Sequence, residues 1–271
     1  MPEWDAKDKT ILVTGGASGL GAEYTRFFLN DGAKNVAVLD IAEDLGKATV
    51  ERLNKLYGNK ALFVKCDISK EDDISNAFDY VLSQFKQIDV IVNNAGIMND
   101  ATHMWRTACD VNWQGLVSFT MKGVKHMRKD EGGAGGTIVN ISSKAALIPF
   151  QHLPIYSGSK LAVLHFSQSL AMDPFYKNTG IRILTFCFGA TETPLLHNLE
   201  SKTYDPHLGK MLASSIENKE RKTQKVEFTV RAFVDMFKNG APGTAWLSVV
   251  DKPVQDITPL INRTFEVSKK L

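Results

Sequence analysis

The first chemical signal in this chain comes from three residues. Tyr156 and Lys160 lie four positions apart in Ile-Tyr-Ser-Gly-Ser-Lys, and Ser143 stands thirteen residues before the tyrosine. On a helix, positions i and i+4 share a face, so the phenol and the ammonium emerge side by side. A cation at that range favours the phenolate and predicts a tyrosine pKa below its reference of about 10. A phenol tuned in this way takes a proton from an alcohol, or gives one to a carbonyl, near neutral pH. Tyr-x-x-x-Lys alone arises by chance on many amphipathic helices, so it needs an independent partner.

That partner lies near the N-terminus. Residues 10–13, Thr-Ile-Leu-Val, form a short apolar run of the kind expected of a strand buried on both faces. The run enters Thr14-Gly15-Gly16-Ala17-Ser18-Gly19-Leu20-Gly21 and then a helical pattern through Phe27, Phe28 and Leu29. Gly15 permits a tight turn, Gly19 admits a pyrophosphate close to the backbone, and Gly21 lets the helix pack on the strand. A loop needing positive φ angles explains one or two of these glycines, not four at this spacing. The next strand ends in Asp40, nineteen residues past Gly21, where a carboxylate can bind both hydroxyls of an adenosine ribose. It would repel a 2′-phosphate, and no Arg or Lys in the glycine turn or at Ile41 offers to hold one, so NAD is expected rather than NADP. Glu43 three residues on also allows Asp40 a capping-box role at a helix start.

The elements that must position these groups follow from the rest of the chain. At 271 residues and 44% hydrophobic, the chain can bury a large core, and no linker, repeat or charge block divides it, so a single domain over 1–271 is expected. Strands are predicted near 10–15, 35–40, 61–66, 89–93, 136–142, 181–187 and 245–249, with helices near 20–32, 43–57, 70–86, 104–129, 155–177 and 227–239. This alternation predicts an α/β fold, a doubly wound parallel sheet of about seven strands (a Rossmann fold) with helices on both faces. In such sheets ligands bind at the carboxyl ends of the strands. Gly15, Asp40, Asp67, Asn93, Ser143 and Gly189 all fall at such ends. Residues 190–226 break the rhythm and are read as a lid over the substrate, and 250–271 as a C-terminal tail.

Several classes are excluded by composition. With 32 basic and 30 acidic residues, the net charge of +2 leaves no footprint for nucleic acid or a membrane surface. The polar, charged start is not a signal peptide, and no apolar stretch reaches the roughly 20 residues needed to cross a bilayer. Cys66, Cys109 and Cys187 are widely spaced and read as reduced residues of a cytoplasmic protein, and no metal-ligand spacing occurs, so no metal is expected.

Together these motifs resemble those of the short-chain dehydrogenase/reductase family over nearly the whole chain. Thr-Gly-x-x-x-Gly-x-Gly occurs at 14–21, Asn93-Asn94-Ala95-Gly96 matches the family's sheet-stabilising motif, Asn112 follows, Ile141-Ser142-Ser143 supplies the serine, and Tyr-x-x-x-Lys closes the set. The resemblance implies an NAD-dependent oxidoreductase. Tyr156 is then the general acid/base, Ser143 polarises the reacting oxygen, Lys160 binds the nicotinamide ribose, and Asn112 holds a proton-relay water. It implies cofactor contacts from Gly15, Ser18, Gly19, Leu20, Gly21 and Asp40, from Asp67 and Ile68 at the adenine, and from Asn93, Ala95 and Gly96. Tyr156, Lys160, Gly189, Thr191 and Thr193 complete the set on the nicotinamide side. It also implies a homodimer, with a tetramer as alternative, paired through the helices at 104–129 and 155–177. Val117, Met121, Val124, Leu164, Phe166 and Leu170 are the candidate contacts there.

Within the family, Tyr156-Ser157-Gly158-Ser159-Lys160 and Gly243-Thr244-Ala245-Trp246 look like the insect-type alcohol dehydrogenases. Residues 129–136 look like the 15-hydroxyprostaglandin dehydrogenase group. Two positions depart from the pattern: Phe188-Gly189 replaces the usual Pro-Gly, and Leu153 stands where the prostaglandin group carries a polar glutamine. A polar substrate group buried against leucine would lose its partner. Phe150, His152, Leu153, Ile97, Leu195 and Leu196 are expected to line an apolar pocket, favouring an apolar secondary alcohol or its ketone. The alternatives are a carbonyl reductase running mainly in the reducing direction and a non-catalytic NAD-binding sensor or scaffold, which would not need Ser143, Tyr156 and Lys160 together.

Overall fold

Successive side chains of a strand leave on opposite faces, so an unbroken apolar run implies that both faces are covered. In the computed structural model, which describes residues 4–268, β1 (Thr10–Thr14) sends Ile11 and Val13 into one apolar layer and Leu12 into the other. The remaining strands are β2 (Asn35–Asp40), β3 (Ala61–Lys65), β4 (Val90–Asn93), β5 (Gly136–Ile141), β6 (Ile181–Phe188), β7 (Ala245–Ser248) and β8 (Gln255–Asp256). They form one sheet in the order β3-β2-β1-β4-β5-β6-β7-β8. The first seven strands run parallel, and β8 pairs antiparallel with β7 through Trp246–Asp256 and Leu247–Gln255. The chain winds outward from β1 to β3 and then resumes at β4 on the other side of β1, so the order reverses between β1 and β4.

The helices are α1 (Gly19–Asn30), α2 (Glu43–Tyr57), α3 (Glu71–Phe85), α4 (Trp105–Cys109), α5 (Leu116–Met127), α6 (Pro154–Leu170), α7 (Phe175–Thr179), α8 (Pro206–Glu217), α9 (Val226–Asn239) and α10 (Thr258–Ser268). On one face Tyr24 and Phe28 of α1 pack with Phe233 and Phe237 of α9, the Tyr24 and Phe233 rings stacking at 4.0 Å. On the other face Ile74 and Phe78 of α3 meet Phe119 and Val124 of α5. Each such side chain contributes about 1.5–3 kcal/mol by leaving water.

The doubly wound parallel sheet is as the sequence predicts; four details differ. An eighth strand is present, two polar residues long and so without any periodic signal. The helix expected over 104–129 is broken into α4, a π-helical turn at Asp110–Gly115, and α5. The wider turn brings Asn112 inward to Ile97, while Gly115 passes so close to the Ile68 carbonyl that any Cβ would collide with it. The helix expected over 155–177 ends at Leu170, short of Pro174, which lacks the N–H a continuing helix needs. Residues 190–226, read as a lid, and the tail, in neither of which the sequence predicts a helix, contain α8 and α10. Asp205 starts α8 by accepting from the His207 and Leu208 amides, with Pro206 at the first helical position. The tail lies on its own chain, with Phe265 edge-on to His165 of α6, and residues 269–271 fall outside the described segment.

One buried polar network binds the sheet to the helices that carry the site. Asn93 donates to Thr120 Oγ1 (3.0 Å) and to Asn140 Oδ1 (2.9 Å), and Asn140 donates to Ser167 Oγ (2.9 Å). The network thus links β4, α5, β5 and α6. Replacing Asn93 by Ala strands its partners, and urea denaturation should show a loss of about 1–3 kcal/mol. Unchanged stability would remove Asn93 from this role.

Candidate active site

A cleft of about 840 Å³ opens at the carboxyl ends of the strands, across the reversal between β1 and β4. Its near wall is the turn from β1 into α1. Gly15 has φ +64°, and a Cβ there would lie 2.7 Å from Ala95 Cα. A Cβ at Gly21 would strike the Gly15 carbonyl oxygen, so α1 can pack here only on glycine. Ser18 makes no side-chain cap, which leaves the first amides of α1 free of any capping side chain at the cleft. A helix start of this kind attracts an anion. Leu20 lines the same wall, and Thr193 approaches Gly19 from across the cleft.

Asp40 closes the adenosine end. Its Oδ2 accepts from Ala17 N (3.0 Å) and its Oδ1 from Ala42 N (3.0 Å), which fixes the carboxylate while leaving lone pairs free. The capping box suggested by Glu43 does not form: Glu43 pairs instead with Lys47 and Lys65. The two lysines beside the β2 end are therefore engaged elsewhere. Asp67, held by Ser69 Oγ (2.7 Å), and Ile68 border the same end, with Ile41 exposed beside Asp40. The glycine turn, the free helix start and the buttressed carboxylate together fit a dinucleotide.

At the other end Ser143, Tyr156 and Lys160 converge on the cleft with Gly96, Gly189 and Thr191. Ser143 starts a 3-10 turn, its Oγ accepting from Ala145 N (3.1 Å). The Lys160 ammonium is buried, donates to the Ile141 carbonyl (3.0 Å) and sits 5.9 Å from the Tyr156 ring centre. The expected lowering of the tyrosine pKa is not what this geometry gives. Burial pushes the Tyr156 phenol up, with Asp100 and Cys187 adding to the effect, and only the hydrogen bond from Ser143 pulls the other way. Burial likewise drives Lys160 down to about 8. Both groups are turned towards neutrality, because desolvation is the largest influence on each.

Two of the residues predicted for catalysis or cofactor binding do not line the cleft. Asn93 faces the interior network rather than the cofactor end. Asn112 stands behind Gly96, its amide engaged by Ile97 N (2.7 Å), Ile97 O (2.8 Å) and Ser159 Oγ (3.2 Å), so its side chain ties the π-helical turn to the backbone at Ile97. Ala95, Thr191 and Thr193 do line it. In the expected apolar stripe, Ile97, Phe150, Leu153, Leu195 and Leu196 border the cleft, whereas His152 is buried beside Phe150. Met98, Leu199, Leu212 and Ile216 join the apolar wall and were not legible, since only the folding of distant segments brings them together.

The excursion 190–226 is clasped at its base. Thr191 pairs with Gln224, Gln224 N donates to Ala190 O (2.8 Å), Glu192 N to Gln224 O (3.0 Å), and Lys225 meets Glu192 at 2.6 Å. Both ends of the excursion are therefore anchored, and the segment between them supplies Leu195, Leu196, Leu199, Leu212 and Ile216 to the apolar wall. Among the described residues no helix is long and apolar enough to cross a membrane, and no acidic, His or Cys cluster could hold a metal.

The model of the short chain dehydrogenase family matches residues 9–203, and the chain belongs to this family. It is 35% identical to 15-hydroxyprostaglandin dehydrogenase (NAD+) of Rattus norvegicus over 195 residues, 72% of each chain. It is 34% identical to alcohol dehydrogenase 1 of Ceratitis cosyra over 240 residues, 86% of this chain and 90% of that protein. Alcohol dehydrogenase 2 of Ceratitis rosa is 36% identical over 226 residues, 81% of this chain and 83% of that protein. The family and its dehydrogenases make the chain an oxidoreductase of the nicotinamide-using type.

The depressed lysine gives a checkable pH effect. Its folded pKa of about 8 lies below the ordinary 10.5, so between those values the unfolded chain binds more protons. Stability contributed at this position therefore rises with pH across that window. Relative to Lys160→Met, the native protein should gain about 3 kcal/mol between pH 8 and pH 10.5, by urea unfolding at each pH. A flat difference would show that the ammonium is not desolvated.

Proposed function

We propose that the chain is an NAD-dependent dehydrogenase interconverting an apolar secondary alcohol and its ketone, with Tyr156 as general acid/base. The observation that carries this reading is the meeting of one hydroxyl, one phenol and one ammonium on a cleft that also holds the glycine turn and Asp40. Gly15, Ser18, Gly19, Leu20 and Gly21 would hold the pyrophosphate, Asp40 the adenosine ribose, and Asp67 with Ile68 the adenine. Ala95, Gly96, Lys160, Gly189, Thr191 and Thr193 would border the nicotinamide side. When bound, NAD supplies the hydride acceptor, which is the cofactor's chemistry.

The chain's own residues handle the proton. Tyr156 takes it from the hydroxyl during oxidation and returns it during reduction. Ser143 donates to the reacting oxygen and holds it against the phenol. Lys160, anchored on the Ile141 carbonyl and 5.9 Å from the centre of the phenol ring, would bind the nicotinamide ribose. Because burial alone leaves the phenol protonated, its ionisation depends on the positive charges brought to the site, the lysine's among them.

The apolar wall sets the substrate class. Leu153 is fully buried at the helix start beneath Tyr156, and Phe150, Leu195, Leu199, Leu212 and Ile216 continue the surface. A polar group carried against this wall would lose its water without replacement, so an apolar body is favoured. The prostaglandin named for one set of relatives is disfavoured at Leu153 for that reason. A homodimer is proposed through the outer face of α5 and α6, where Met121 and Leu161 stand exposed; Val124 and Leu164 face the core and drop out of that contact. Three free thiols, two of them buried, suit a reducing cytoplasm.

Tyr156→Phe should lower kcat at least about a hundred-fold while leaving NADH binding intact, read by cofactor absorbance and by fluorescence titration. Activity that survives would remove the tyrosine from its role. Asp40→Asn should weaken NAD binding about ten-fold and narrow the preference over NADP by removing the repulsion of the extra phosphate. Equal losses with both cofactors would place the ribose elsewhere.

A further inference from the structure

The helix that carries Tyr156 begins without a cap of its own. Its N-cap position is Leu153, which has no side-chain acceptor, and Pro154 follows at the first helical position. The next two amides, those of Ile155 and Tyr156, are the donors an N-cap side chain ordinarily satisfies. They are satisfied from outside the helix. Asp100, fifty-five residues upstream of Ile155, places its carboxylate so that Oδ2 accepts from Ile155 N (2.7 Å) and Oδ1 from Tyr156 N (2.9 Å). The side chain is buried, only 1% of the residue being exposed. Its own amide donates to the Lys202 carbonyl (2.7 Å) in the excursion that covers the cleft, and Lys202 Nζ reaches back to the Leu195 carbonyl (3.0 Å).

We propose that Asp100 is a positioning residue for the reaction: it caps α6 from another segment, fixes the backbone of Tyr156, and ties that backbone to the covering excursion at Lys202. The arrangement has a chemical reason. The N-cap position of α6 faces the substrate wall, and Leu153 is needed there as an apolar surface. A Ser, Thr or Asp at 153 would cap the helix but put a polar group into the pocket. Moving the cap to Asp100 lets position 153 be chosen for the substrate and the helix start be held by a charge-assisted pair of hydrogen bonds. A carboxylate at a helix N-terminus is also favoured by the aligned peptide dipoles.

The charge acts on the phenol as well. Asp100 faces Tyr156 on α6, Cys109 on α4 and Lys202 in the excursion, while Tyr156 also faces Lys160 and Cys187. Burial raises the Asp100 carboxyl itself, against the two amides that lower it. Of the groups around the phenol, Asp100 is an anion that opposes ionisation, so its position sets both where the hydroxyl stands and how readily it loses its proton.

This inference rests on the reading of Tyr156 as acid/base, and the test separates the two. Asp100→Ala, Asp100→Asn and the native protein are compared, each also in a Tyr156→Phe background. Competent sites are counted by NADH fluorescence, kcat is expressed per site, and Tyr156 ionisation is followed as the ultraviolet difference between each protein and its phenylalanine partner. Asp100→Ala should lose about ten- to a hundred-fold in kcat per site with NADH affinity unchanged, since a small displacement of a reacting group has that cost. Asp100→Asn, whose single amide oxygen can accept from one of the two amides while its NH2 cannot accept from the other, should recover part of the loss, and Tyr156 should ionise at lower pH in both variants. Native kcat per site in Asp100→Ala, an Asn variant no better than the Ala variant, or an unmoved tyrosine titration overturns the proposal. Should Asp100→Ala not fold, the Asn variant's titration still decides. If the native protein turns over no alcohol or ketone, the dehydrogenase reading falls, yet the titration continues to report on Asp100.

Discussion

The Lys160 ammonium is buried against a single carbonyl, with no carboxylate beside it among the described residues. Few groups are costlier to desolvate, and the penalty shows as a pKa drawn down to about 8. A fold keeps such a group only if packing elsewhere over-determines its place. Here that packing is the two apolar layers on the sheet and the polar chain Asn93–Asn140–Ser167, which locks α6 onto β4 and β5. The site is thus held rigid by the interior, and it holds its strained electrostatics because relaxation would require the helix to move.

Much of this was legible from residue types and spacing. The glycine turn, Asp40, and the Ser143, Tyr156 and Lys160 set could be read because each demands a particular side chain, or none, at one place in a strand-to-helix unit. The parallel sheet was readable for a related reason: strands covered on both faces cannot alternate, and runs such as Ile11-Leu12-Val13 announce that. What the sequence concealed depends on contacts between distant segments. Asn93 carries the same letters whether its amide faces a cofactor or Thr120, and only the direction of the side chain decides. The π-helical turn at 110–115 arises from the approach of Gly115 to Ile68, which no local pattern encodes. The α8 helix hid in a lysine-rich stretch because its apolar residues serve the cleft more than the core.

The tyrosine shows why spacing predicts proximity better than it predicts charge. An i, i+4 pair does bring the phenol and ammonium close, but their interaction competes with the loss of water around both. Burial here is deep enough to reverse the expected direction at Tyr156 and to weaken the lysine's charge as well. Sequence registers the partner and not the depth. The direction of a pKa shift is therefore a property of the cavity, while the identity of the proposed acid/base is a property of the chain.

That division bears on how substrate choice and reactivity can vary independently in this protein. The glycine turn, Asp40 and the buried pair lie on elements locked to the sheet. The apolar wall is built largely from the segment between Ala190 and Gln224, anchored by paired backbone bonds at its base and free to differ along its length. Changing Leu195, Leu199, Leu212 or Ile216 alters the surface a substrate meets without touching the amides that hold Tyr156. An added or missing methylene on such a wall discriminates by about 1–3 kcal/mol, whereas a polar group forced against it loses far more. For the proposed substrate class, selection against polar groups is for that reason the stronger of the two filters. In the proposed reading it acts at Leu153, where α6 begins without a side-chain cap of its own.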